Sequence, residues 1–246
     1  MPDEPRLDEQ ALSLAAVMTL SSQLDAAEKI DVDVRTDLLK AVQGHVDSVT
    51  IEGQGLVMQK DIRVQEMELH TDSLDINPLS ALFGQIELNH SVDATVRLVL
   101  TEPDINRALN SKYVQSKMQN FDLNVEGQPV SMEMRHMELL LPGGGKMVFK
   151  GDTLLHEVGK TRPISFTAIF RPRTLSQPVM LEGFQCTQGD GLSLEETVAL
   201  MQKLKEVVNQ PYFEIEGMAL RVKDMEVQKG SLTLQTEAHV TKIPSS

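Results

Sequence analysis

Apolar and polar residues alternate along much of this chain, and the phase of the alternation slips. Between Val49 and Leu69 the apolar pairs are Val49 and Ile51, Leu56 and Met58, Ile62 and Val64, then Met67 and Leu69. A period of two marks a half-buried strand. A slip of one residue would carry the core face outward. The slips between Met58 and Ile62 and between Val64 and Met67 therefore predict a turn, a bulge or a sharp twist. The stretch Ile215–Gln228 echoes this one, with IEG, L, KD, V and Q recurring in order. It predicts a second strand–turn–strand unit, and Gly53 and Gly217 are read as letting the two units bend.

The same alternation predicts strands at Ile30–Arg35, Ser73–Ile76, Gln85–Leu100, Phe121–Val125, Ile164–Phe170, Val179–Phe184 and Leu232–Val240. Val130, Met132 and Met134 share one face, and Met137, Leu139 and Leu141 take the other phase. Pro142-Gly-Gly-Gly145 and Lys229-Gly230 read as hairpin turns.

Two stretches read as long helices. Leu7–Glu28 is rich in Ala and Leu, lacks Gly and Pro, and has acids near its start, as a helix N-terminus favours. Leu7, Ala11, Leu14, Ala15 and Met18 form a stripe, and Leu12, Val17, Leu20 and Leu24 widen it. A helix apolar nearly all round is expected to be enclosed by other structure. Ser193-Leu-Glu-Glu196 is a capping box opening a helix to about Asn209, with Leu194, Val198, Met201, Leu204 or Lys205, and Val208 as its buried stripe. Shorter helices are expected at Leu38–Gln43, at Leu79–Phe83 after Asn77-Pro78, at 101–109 behind a Thr101 cap, and at Lys112–Gln119. The expected class is α+β, one domain over residues 7–246 behind a frayed acidic leader at 1–6. Its strands form a long, strongly curved antiparallel sheet.

Composition narrows the function. The chain has 246 residues and a net charge of −13, which argues against nucleic acid and against electrostatic capture by anionic lipid. The lone Cys186 permits no intramolecular disulfide and no cysteine metal site. There is no Trp, while Met occurs 13 times. Such a core is either merely Met-built or loose enough to hold something flexible. The acidic start does not resemble a signal peptide. The uncharged run Gln10–Leu24 is too short to span a bilayer. The expectation is a cytoplasmic protein whose membrane contact would be peripheral.

Candidate chemistry is sparse. No histidine lies in HExxH, and most occupy solvent-side strand phases. There is no G-x-S-x-G elbow, and Gly143–Gly145 lacks the ending of a phosphate loop. No catalytic residue, cofactor or metal is expected, and an enzyme is the weaker class. A curved sheet rich in Met, Leu and Val can hold an apolar ligand, or the first helix can fill the groove itself. A scaffold with a filled core and an acidic surface for a basic partner is the alternative. A lipid hydrolase would need a nucleophile beside a histidine.

Four segments carry a family resemblance: Asp37-Leu-Leu-Lys-Ala-Val-Gln-Gly44, Val49-Thr-Ile-Glu-Gly-Gln-Gly55, Leu74-Asp-Ile-Asn-Pro-Leu79 and Leu100-Thr-Glu-Pro-Asp-Ile-Asn-Arg-Ala-Leu109. Together they resemble the bacterial LmeA-like phospholipid-binding proteins, in particular the branch found in cyanobacteria, over about residues 8 to 243. The resemblance implies a fold similar to the tubular lipid-binding proteins. A highly curved antiparallel sheet would wrap a long N-terminal helix, and phospholipid or fatty acyl chains would lie in an apolar channel. It supplies no catalytic residues. On this reading the lining includes Leu14, Val17 and Met18 on the helix and Met67, Leu69, Met132 and Met134 on strands.

Overall fold

The computed structural model describes residues 7–58, 62–77, 80, 87–118, 120–157, 159–189, 191–208, 213–215 and 218–241. The predicted leader at 1–6, most of the predicted helix Leu79–Phe83 with its stop Gly84, the strand start at Gln85 and Ile86, and Gly217 lie outside them. The N-terminal half contributes α1 (Leu7–Gln23), β1 (Lys29–Arg35), α2 (Leu38–Val42), β2 (His45–Val46), β3 (Ser48–Met58), β4 (Ile62–Thr71), β5 (Leu74–Asp75) and β6 (Val92–Thr101). Then come α3 (Glu102–Leu109), α4 (Lys112–Met118), β7 (Asn120–Val125), β8 (Gln128–Gly143), β9 (Lys146–Glu157), β10 (Lys160–Arg171) and β11 (Met180–Gly189). The chain closes with α5 (Leu194–Val208), β12 (Phe213–Ile215), β13 (Met218–Gln228) and β14 (Ser231–Val240).

These elements form two compact units. The first comprises Met1–Leu100, Pro211–Lys223 and Thr233–Ser246; the second comprises Thr101–Gln210 and Asp224–Leu232. The first is built on a seven-stranded sheet of order β1-β3-β4-β6-β14-β13-β12, the second on a five-stranded sheet of order β11-β10-β9-β8-β7. The pairs β1–β3, β3–β4, β4–β6 and β12–β13 of the first sheet and all four pairs of the second run antiparallel, as expected for strands joined by tight turns. The framework includes a sheet curled as a half-barrel and an N-terminal helix.

Each phase slip has a structural cause. The first is the β3–β4 turn, where Met58 pairs with Ile62. At the second, both strands change face together. Ile51 stays opposite Leu69 and Leu56 stays opposite Val64, with no break in register. Between them Gly55 adopts φ +58°. Leu56 folds over Gly53, whose Cβ, if present, would lie 2.6 Å from the leucine Cδ1. The glycines thus permit a sharp local twist. The third slip, on β8, is a register shift between Met134 and His136. Such shifts bend a strand and increase its twist.

Two helices complete the free edges of sheets. β1 is an edge strand, and edge N–H groups need partners. On α1, Ser13 Oγ accepts from Val34 N at 3.0 Å, and Glu9, one turn earlier, accepts from Thr36 N at 3.3 Å. In the second unit β7 pairs only with the start of β8, as far as Glu133. Beyond that point α3 takes over. Glu102 Oε2 accepts from Leu141 N at 2.6 Å, and Asn110 Nδ2 donates to Met137 O at 2.9 Å. Asn106 makes both bonds to Leu139, donating to its carbonyl at 2.8 Å and accepting from its N–H at 2.7 Å. These three polar residues recur every fourth position, on one face of the helix. Thr101 caps α3 as predicted, accepting from Asp104 N. The motif at residues 100–109 is thus a device for ending one strand and protecting another.

The edge role of α1 changes its predicted burial. Leu12, Ala16, Val17 and Leu20 pack on the buried cluster Val32, Val34 and Val46. The opposite face is open: Leu14 is 63% and Met18 68% exposed. The helix is apolar all round, yet one side alone is covered, because Glu9 and Ser13 orient it toward the strand edge. The buried stripe expected on α5 is likewise corrected. Leu194, Val198 and Met201 are exposed, while Glu196, Ala199 and Leu200 are buried. Among the described residues no helix is long and apolar enough to cross a membrane.

Candidate functional site

The core face of the seven-stranded sheet divides into two apolar fields. On the β1 side α1 covers Val32 and Val34. On the other side Ala94, Val96 and Ala238 are buried, and Met67, Leu69, Leu98, Leu220 and Val240 pack round them half-buried. All eight residues of this second field lie on strands. Register explains why they meet: Met67 pairs with Leu98 and Leu69 with Val96. Thr236 Oγ1 donates to Val96 O at 3.1 Å, which fixes β14 beside β6. Small side chains keep this end of the sheet shallow. A cavity of about 720 Å³ is lined there by Thr71, Ala94, Ala219 and Ala238, together with His70, Asp72, Asp93, Glu237 and His239.

The seven residues expected to line a lipid channel are not all brought together. Met67 and Leu69 lie in the strand-built field. Val17 packs in the α1–β1 cluster, while Leu14 and Met18 face outward. Met132 and Met134 belong to the second unit. There Met132 is buried and Met134 is half-buried, and both lie on β8, opposite Leu155 and Thr153.

The second unit holds a feature that period-two reading did not single out. On β10, Arg162 shares its phase with Ile164, Phe166, Ala168 and Phe170, all buried. Its side chain is only 12% exposed and that of Glu196 only 7%. The guanidinium donates to Glu157 Oε1 at 2.8 Å, to Glu196 Oε1 and to the Gly191 carbonyl. Glu196 also closes the predicted capping box: it accepts from Ser193 N at 2.6 Å, and Ser193 Oγ accepts from Glu196 N at 3.1 Å. Burial pushes the Glu196 carboxyl upward, but the bonds from Arg162 and Ser193 outweigh it and hold the carboxyl below its ordinary range. The Glu196 bond is the main reason that the Arg162 guanidinium is raised. A cleft of about 850 Å³ opens beside this cluster, lined by Val125, Pro129, Val130, Lys160 and Leu192 among others. The missed signal was a charge at a core-phase position.

Two hydroxyl–imidazole–carboxylate chains bear on hydrolytic chemistry. Thr50 Oγ1 lies 3.0 Å from His70 Nδ1, and His70 Nε2 lies 3.2 Å from Asp72. Thr161 Oγ1 lies 3.1 Å from His156 Nδ1, whose Nε2 lies 3.0 Å from Glu133. In each chain the threonine and histidine are direct cross-strand partners. Such chains are ordinary cross-strand ladders of a sheet's polar face. Among the described residues no group of three or more His, Cys, Asp or Glu is placed to hold a metal ion.

No curated protein and no solved structure matches the chain. A family model described as LmeA-like phospholipid-binding matches residues 6–237. That span takes in both edge-capping helices and most of the strand-built apolar field, all but Ala238 and Val240, and the chain belongs to the LmeA-like phospholipid-binding family.

Proposed function

We propose that the protein binds phospholipid by its acyl chains, without chemistry, and carries or stores it. The observation that carries this reading is the half-buried field of Met67, Leu69, Leu98, Leu220 and Val240. Their half-buried side chains leave apolar surface open to a ligand. Acyl methylenes laid on such a surface gain about 0.8 kcal/mol each, so even a partly covered chain is a worthwhile ligand. Family membership supplies the ligand class. The net charge of −13 favours recognition through the tails over capture by an anionic headgroup. On this reading the protein meets bilayers peripherally, from the cytoplasm, and lets the lipid slide onto the sheet beside α1.

The test is displacement of a fluorescent fatty-acyl probe from delipidated protein. Leu69→Asn places an amide in the field and is expected to weaken probe binding at least tenfold, a loss of about 1.4 kcal/mol. Leu14→Asn, on the exposed face of α1, is expected to leave it unchanged. Equal binding by wild type and a folded Leu69→Asn protein would remove this field as the site.

A further inference from the structure

The face of α1 turned away from the sheet is apolar and open. Ala11, Leu14, Ala15 and Met18 lie along it, all exposed, and Ser21 and Ser22 continue the stripe. No residue from Gln10 to Ser22 carries a charge, although the whole chain has a net charge of −13. Two hydroxyls of the helix are already answered within it. Thr19 Oγ1 donates to the Ala15 carbonyl at 3.0 Å, and Ser22 Oγ to that of Thr19 at 2.6 Å. Such a surface gives up little on leaving water. The chain enters α2 just after Thr36, whose N–H Glu9 of α1 holds, and Leu39 and Val42 of α2 are exposed as well.

We propose that this face of α1 is the surface by which the protein rests on an electroneutral phospholipid bilayer. Area argues against a second copy as the cover. The helix has 17 residues, which makes it about 25 Å long and about 10 Å across. Two such faces pressed together would bury about 500 Å², where a stable interface takes about 1,200–2,000 Å². Charge selects the bilayer. Interfacial helices that bind anionic lipid are rich in Lys and Arg, and this stripe has neither. An acidic protein is repelled by an anionic surface, so its uncharged stripe fits an uncharged one. The opposite face of α1 covers Val32 and Val34 of the seven-stranded sheet, which also carries the apolar field of Met67 and Leu69. Docking through α1 therefore brings the lipid-binding sheet to its source. The inference rests on the acyl-lipid reading above, which needs a donor bilayer, and names where the protein touches it.

The chain has no Trp, so Met18→Trp gives the open face of α1 a unique fluorophore, and Val198→Trp gives one to the exposed side of α5. Each delipidated variant is mixed with vesicles of phosphatidylcholine carrying brominated acyl chains, which quench Trp on contact. Met18→Trp is expected to be quenched and shifted to the blue, while Val198→Trp keeps its emission. Vesicles of brominated phosphatidylglycerol are expected to quench Met18→Trp less. In co-flotation with phosphatidylcholine vesicles, Leu14→Ser with Met18→Ser is expected to lower the partition of the protein about tenfold or more. No quenching at Met18→Trp, equal quenching at both positions, stronger quenching by phosphatidylglycerol, or equal flotation of the double variant overturns the inference. So does a vesicle-free blue shift at Met18→Trp that fades on dilution, since a second copy would then cover the face. Wild type is also offered the soluble fatty-acyl probe. Wild type that floats with the vesicles yet binds no probe overturns the acyl-chain reading and leaves the docking face standing.

Discussion

Replacing Arg162 by Met would test how the second unit is held together. The substitution keeps an unbranched apolar stem and removes the guanidinium. Three bonds disappear: those to Glu157, Glu196 and the Gly191 carbonyl. Breaking a buried ion pair by removing one partner costs about 3–5 kcal/mol. The lower end applies here, because Glu157 is 28% exposed and can rehydrate and Glu196 keeps its bond from Ser193 N. We expect a loss of about 3 kcal/mol at neutral pH, read as a lower urea midpoint with an unchanged m-value. The pH dependence gives a second check. In wild type the folded Glu196 carboxyl is lowered, so its contribution is present above the unfolded carboxylate pKa and fades as pH falls through the folded one. In the variant burial remains while the guanidinium is gone, so Glu196 takes up its proton at higher pH. The deficit relative to wild type is therefore largest near neutrality and shrinks on acidification through the carboxylate range. Adding Glu196→Gln to Arg162→Met should recover part of the loss. A deficit under about 1 kcal/mol, the scale of a surface pair, or one independent of pH, would refute this reasoning.

Other substitutions test other parts of the account. Asn106→Ala strands the Leu139 N–H and carbonyl and should cost about 2–4 kcal/mol in urea unfolding. Asn106→Asp should not rescue it, since a carboxylate would face that carbonyl. Gly55→Ala forces a side chain onto φ +58°, costing about 1–2 kcal/mol, and its Cβ would displace the Glu28 side chain; a thermal melt within error of wild type would contradict the twist assigned to this position. Leu14→Ser and Met18→Ser, on the open face of α1, should each change stability by no more than about 0.5 kcal/mol. A larger loss would mean that this face is covered.

What could be read from the sequence was local. The capping box at Ser193–Glu196, the Thr101 cap and the phase slip on β8 all depend on residues within a few positions of one another. Each is present in the structure. What could not be read was which side of a helix the rest of the chain would choose. On α1 both sides are apolar, and the choice fell to Glu9 and Ser13, which accept from the N–H groups of Thr36 and Val34, more than 20 residues away. On α5 the larger side chains Leu194, Val198 and Met201 made the more convincing stripe, but Arg162 draws Glu196 inward and turns them to solvent. The candidate site was legible only at Met67 and Leu69, whose strand phase places them in the apolar field. Its other members, Leu98, Leu220 and Val240, come from strands whose adjacency is a matter of topology. Arg162 left one trace, a charged residue in phase with the apolar positions of the strand that follows it.

Native mass spectrometry of the delipidated protein, after incubation with phospholipid vesicles and removal of the vesicles, asks whether a phospholipid is bound at the strand-built field. A discrete adduct with the mass of an intact phospholipid is expected, retained by wild type and lost on Leu69→Asn. A wild-type spectrum showing only the bare chain would contradict it.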